Sequence, residues 1–134
     1  MAPDRDPSRP GAWLRRARSN LARARAHRGL PEVVYEDLCF DAQQAAEKAL
    51  KALLVHRRIA LPKTHAIAEL ITLLESSGLE VPGNVRCATA LTPYAVEARY
   101  PGLWEEVTPA EYEDALRSAD TVLRWAEAVI DRAE

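Results

Sequence analysis

The stretch that most constrains the fold is Phe40-Asp41-Ala42-Gln43-Gln44-Ala45-Ala46-Glu47-Lys48-Ala49-Leu50-Lys51-Ala52-Leu53-Leu54. At 100° per residue, Leu38, Ala42, Ala45, Ala46, Ala49, Leu50, Leu53 and Leu54 fill about half of a helical wheel. Asp37, Asp41, Gln44, Lys48 and Lys51 gather on the other side. An apolar arc that wide faces more than one neighbour, so the stretch reads as the central helix of a bundle. Its alanines allow close approach, and its leucines supply the buried area.

The other segments are expected to fit around it. Met1 to Pro10, rich in Pro, Asp and Arg, reads as a flexible N-terminal tail, and residues 11–134 as a single helical domain. A first helix is predicted from Ala12 to Arg28 with Leu14, Ala17, Leu21 and Ala24 inward, closed by Gly29 and Pro31. The central helix is predicted from Glu32 to between His56 and Arg58, where Leu61-Pro62 breaks it. Thr64 reads as the N-cap of a shorter helix with Ile67, Leu70, Ile71 and Leu74 inward, ending at Ser77-Gly78. A fourth helix follows Pro82-Gly83-Asn84, with Val85, Ala88, Leu91, Thr92 and Ala95 at helical spacing, and stops before Tyr100-Pro101. Thr108-Pro109-Ala110-Glu111 combines an N-cap, a first-turn proline and a capping-box glutamate. It opens a last helix whose stripe is Tyr112, Ala115, Leu116, Ala119, Val122, Leu123, Ala126 and Ile130. The fold class is all-α, an up-and-down bundle of about five helices.

Composition supports this reading. The chain has 134 residues, enough for one domain with a real core, and only five glycines. No apolar run approaches the roughly 18 residues of a membrane span. The N-terminus lacks the apolar core of a signal peptide, so a cytoplasmic location is the default expectation. Cys39 and Cys87 stand apart without metal-ligand spacing, and each reads as a small core residue. Neither a metal site nor a cofactor is expected.

Charge is unevenly placed. Residues 1–28 hold eight arginines (5, 9, 15, 16, 18, 23, 25 and 28) against Asp4 and Asp6, a balance of +6, whereas the remainder carries −8. Two readings fit: a solvated basic face on the first helix, or an electrostatic footprint for RNA or an acidic partner.

Three places could carry chemistry. Arg58 precedes His65 by six intervening residues. An imidazole can act as general base on a 2′-hydroxyl or as general acid to the leaving oxygen, and a guanidinium can hold phosphate and stabilise developing charge. The structural alternative has His65 starting its helix and Arg58 solvated at a helix C-terminus. Arg99-Tyr100-Pro101 is either an anion-contacting corner or a helix end with a packed tyrosine. Gln44, Glu47, Lys48 and Lys51 form the polar side of the central helix. There Glu47 and Lys51 make an i, i+4 pair for which surface solvation is the expectation.

The Phe40–Leu53 stretch strongly resembles the central-helix signature of the HEPN domains, named for higher eukaryotes and prokaryotes nucleotide-binding. Pro62-Lys63-Thr64-His65, Ala98-Arg99-Tyr100-Pro101 and a capped last helix with Val122-Leu123-Arg124-Trp125 follow in the family's order. The resemblance covers the chain from Trp13 to Ile130. It implies a small helical bundle that commonly dimerises. It also implies one of two roles. Many prokaryotic members are halves of a two-gene, toxin–antitoxin-like module, binding a nucleotide or substrate beside a minimal nucleotidyltransferase. Others are metal-independent ribonucleases with an Arg-x(4–6)-His motif assembled across a dimer. Arg58 and His65 match that spacing. The ribonuclease members, however, carry the motif within a helix, with Asn or Asp beside the Arg and Tyr after the His. Here Ile59 follows Arg58, Ala66 follows His65, and Pro62 intervenes. The leading expectation is therefore a non-catalytic binding module that meets its ligand through Lys63, Arg99, Tyr100, Gln44 and Lys48. The alternative is a ribonuclease toxin using Arg58 and His65.

Overall fold

A computed structural model of the chain describes residues 5–26, 30–95 and 105–132. Among the described residues the elements are α1 (Pro10–Ala26), α2 (Tyr35–His56), α3 (Ile67–Ser76), the single turn α4 (Gly83–Arg86), a 3₁₀ segment (Cys87–Ala95) and α5 (Pro109–Arg132), with no strand. α2 is central: it packs against α1, α5, α3 and the 3₁₀ segment. All eight apolar residues of its arc are buried, together with Cys39 and Ala52. The inward stripes expected for α1, α3 and α5 are buried in full.

The ends of the elements have identifiable causes. At the start of α5, Thr108 Oγ1 accepts from Glu111 N (3.1 Å) and Glu111 Oε1 accepts from Thr108 N (2.9 Å), so both halves of the capping box are made. α3 ends in a Schellman motif: Gly78 (φ +96°) donates to the Glu75 carbonyl and Leu79 N to the Leu74 carbonyl. The same motif ends α2, where Arg58 N donates to the Val55 carbonyl and Ile59 N to the Leu54 carbonyl. There the left-handed position is held by Arg58 itself (φ +60°), not by glycine. α2 thus stops at His56, and the cap rather than Pro62 sets its end. Arg57 then fastens that end to α3, donating to Ser77 Oγ (2.6 Å) and to the Ser77 carbonyl (2.8 Å). The expected closure of α1 at Gly29 lies outside the described residues.

Four local expectations are corrected. α2 begins at Tyr35 rather than Glu32, because Leu30–Val33 closes a turn (Val33 N to the Leu30 carbonyl) with Pro31 at its first corner. Thr64 does not cap α3. Its hydroxyl accepts from Ala66 N, two residues on, and the helix's first amide, Ile67 N, donates instead to Thr92 Oγ1 of the 3₁₀ segment (3.1 Å). The expected fourth α-helix becomes one α turn and then a 3₁₀ run. Pro93 lacks an N–H and its ring opposes α geometry. Val85, Ala88 and Leu91 instead stack inward at three-residue spacing. That spacing also turns Cys87 outward: it is exposed, against the expectation of a core residue. Cys39 is buried as expected, and burial pushes its thiol up to about 12, so it behaves as an inert core residue.

Candidate functional site

Two polar clusters lie on neighbouring sides of α2. The first is centred on Glu47, which is only 3% exposed. Its Oε2 accepts from Lys51 Nζ at 2.8 Å. Its Oε1 accepts from Gln43 Nε2 (3.0 Å) and His65 Nδ1 (2.9 Å). Gln43, fully buried, also reaches the His65 carbonyl at 3.4 Å, and its own Oε1 accepts from Gln44 Nε2 at 2.7 Å. Burial opposes the charge on Glu47. The hydrogen bonds from Lys51, Gln43 and His65 together outweigh it and hold the carboxyl below its ordinary value. Surface solvation, the expectation for Glu47 and Lys51, is thus corrected: Glu47 is buried, Lys51 is half-buried, and each partners the other.

This arrangement orients His65. An ionised carboxylate only accepts, so Nδ1 is the donor to Glu47. In the neutral ring Nε2 is then left as an acceptor, on a side chain that is 64% exposed. A carboxylate behind an exposed imidazole can serve proton transfer. Arg58, by contrast, is exposed, and its guanidinium makes no hydrogen bond or ion pair with a described residue. The two ends of the expected motif are therefore joined by chain and not by contact.

The second cluster joins α1 to α2. Asp41, expected on the solvated side, is buried. It accepts from Asn20 Nδ2 (3.2 Å) and from both Arg23 Nη2 (2.5 Å) and Nε (3.4 Å). Asn20 Oδ1 in turn accepts from Lys48 Nζ at 2.8 Å. The proximity of Asp41 raises Arg23 above its ordinary value. Lys48 is displaced downward, first by burial and then by the charge of Arg16. Beyond Lys48 opens a recess of about 540 Å³ lined by Arg5, Pro7, Trp13, Arg15, Arg16 and Lys48. The Trp13 indole is fixed there, donating Nε1–H to the Pro7 carbonyl (2.9 Å), with Lys51 Nζ 5.8 Å from its ring centroid.

With this geometry in view, comparison with known proteins is decisive about ancestry. The HEPN domain family matches residues 11–129. The chain belongs to the HEPN domain family. Two solved structures share its fold. TT1696 from Thermus thermophilus is 34% identical, with 90% of this chain and 98% of that one covered and a TM-score of 0.78. ST0689, described as an archaeal HEPN homologue, is 29% identical, with 91% and 98% covered and a TM-score of 0.71. Among curated proteins the chain has no significant match.

Of the residues expected to carry function in this HEPN protein, Lys48 lines the recess and Gln44 is tied into the Glu47 cluster. Lys63 is exposed, and Arg99 and Tyr100 lie outside the described residues. The reading by pattern missed Glu47 as the partner of His65. A signal was present: Gln43, Glu47, Leu50 and Leu54 follow one another at i, i+4, i+7 and i+11, so Glu47 shares a stripe with two buried leucines. Among the described residues no group of three or more His, Cys, Asp or Glu could hold a metal. No helix among them is long and apolar enough to cross a membrane.

Proposed function

We propose that this HEPN protein is a binding module for a nucleotide or related substrate, acting as a homodimer beside a minimal nucleotidyltransferase in a two-gene system. The observation that carries the reading is the separation of roles around α2. His65 is bonded to a buried, fully partnered glutamate, and the Arg58 guanidinium meets neither of them. A phosphodiester cleaved by this pair would need both groups on the same phosphate. The Arg58 backbone in the left-handed region already serves the cap of α2.

A second reading has one specific observation in its favour. The Glu47–His65 contact orients an exposed imidazole as a general base requires, and an arginine from a second copy could complete a metal-independent ribonuclease site. Incubation of a mixed RNA pool in excess EDTA, with wild type and His65→Ala both checked for folding by circular dichroism, separates the two. The binding-module reading predicts no cleavage by either protein. Cleavage by wild type that vanishes in His65→Ala establishes the ribonuclease and overturns it.

A further inference from the structure

The arginines of α1 divide into two sets. Arg18, Arg23 and Arg25 pair with Glu127 (2.5 Å), Asp41 (2.5 Å) and Asp120 (2.9 Å), and so fasten α1 to α5 and α2. Arg15 and Arg16, nearer the start of the helix, make no ion pair or hydrogen bond with any described residue. They converge with Arg5 and Lys48 on one recess that no described acid lines. The first turn of α1 contains no acid either. The nearest one in sequence, Asp6, faces Ser8, whose N–H and hydroxyl both donate to it at 2.9 and 2.7 Å. The protein as a whole carries −2, so its acids are numerous enough to have neutralised the recess. Among the described residues they are placed elsewhere.

Four cations around one concavity repel each other; at Lys48, burial first and then Arg16 displace the ammonium downward against the opposing charges of Glu47 and Asp41. An anion bridging them relieves it. The recess, at about 540 Å³, falls within the roughly 300–1,000 Å³ range of small-molecule sites and is too large for a single small ion to contact every cation. Guanidinium groups grip phosphate oxygens through paired N–H donors, and the ammonium of Lys48, which also donates to Asn20, adds a point charge. One wall is Trp13, whose indole N–H donates to the Pro7 carbonyl and whose ring offers a flat apolar surface beside the charges.

We infer that this recess binds an oligophosphate chain, gripped by Arg15, Arg16 and Lys48 beside Trp13. The inference builds on the binding-module reading by giving its ligand a site and a chemistry, but it does not require that reading. The phosphate chain could come from a nucleoside polyphosphate or from inorganic polyphosphate, and the two are separable by experiment.

The test is isothermal titration calorimetry of the full-length protein at low ionic strength with sodium tripolyphosphate, ATP and sulfate. Tripolyphosphate should bind with one site per chain and more tightly than sulfate. The Arg15→Ala/Arg16→Ala double variant, altered only at exposed side chains, should bind it about 100-fold more weakly, about tenfold for each charge-assisted contact removed. Arg18→Ala removes the same charge from the same helix at a paired position and should leave the affinity within about threefold. Tighter binding of ATP than of tripolyphosphate, reduced in Trp13→Ala, assigns the ligand as a nucleotide. Equal binding of the two assigns it as the phosphate chain alone. No binding of tripolyphosphate, binding no tighter than sulfate, or equal weakening by Arg18→Ala and the double variant overturns the site. A protein that binds tripolyphosphate here and also cleaves RNA through His65 contradicts the binding-module reading and leaves this one standing.

Discussion

Glu47 and Lys48 are adjacent in sequence, carry opposite charges and are both withdrawn from solvent, Glu47 fully and Lys48 in part, yet α2 treats them differently. Glu47 has three side-chain hydrogen-bond donors, one of them the cation Lys51, and its charge is answered in place. Lys48 has one hydrogen-bond partner, the neutral Asn20; burial and the charges of Arg16 and Arg23 outweigh the opposing charges of Glu47 and Asp41. A buried charge that is answered holds helices in register. A withdrawn charge that is only partly answered stores an electrostatic demand that an outside anion can meet. The contrast separates a structural polar cluster from the proposed binding one without appeal to residue type, since each contains a lysine on the same helix.

Breaking the answered side should cost most. Glu47→Ala leaves the half-buried Lys51 without its counter-charge and Gln43 short of an acceptor, and should lower stability by about 3–5 kcal/mol in urea denaturation. Asp41→Ala, which releases Asn20 and Arg23 at the α1–α2 seam, should cost about 2 kcal/mol. Arg58→Gly is expected to act in the opposite direction. A left-handed C′ position suits glycine, so the variant should gain up to about 1 kcal/mol while removing a guanidinium that the fold does not use. The unanswered side should be the least sensitive: Arg15→Ala and Arg16→Ala should each change stability by less than about 0.5 kcal/mol. If either cost as much as Asp41→Ala, the distinction between the two sides would be lost.

Acid titration sharpens the same contrast. The Glu47 carboxyl lies below its ordinary value of 4.5 when folded, so above that value the folded chain has the full benefit of its charge. As pH falls below about 4.5 the unfolded chain takes up this proton first, and stability should decline. Glu47→Gln, read by chemical denaturation at several pH values, should flatten that part of the profile.

The hydrophobic half of this fold was plainly written in the sequence. The arc of α2 and the stripes of α1, α3 and α5 are apolar residues at helical spacing, and close packing leaves them nowhere to go but inward. The capping box of α5 was equally legible because it is local. What eluded the pattern was polar or contextual. Glu47, Gln43 and Asp41 are buried because partners arrive from α1, from α2 itself and from the segment before α3, and those partners lie up to 22 residues away. Thr64 has the chemistry of an N-cap, but Thr92 is the residue that tertiary packing brings to the first amide of α3. The candidate site divides in the same way. The basic bias of the N-terminal segment was visible as a count of arginines. Which of them are paired, and which converge with Lys48, depends on how α1 lies on α2.

Which side of α2 receives a ligand is the deciding question. The direct measurement is a ¹H–¹⁵N correlation spectrum of the full chain titrated with ATP. The largest shifts should fall on Trp13, Arg15, Arg16 and Lys48, with the Trp13 indole N–H among them, while Arg58 and His65 stay in place. Shifts centred on Arg58 and His65, with the recess unmoved, would contradict that expectation.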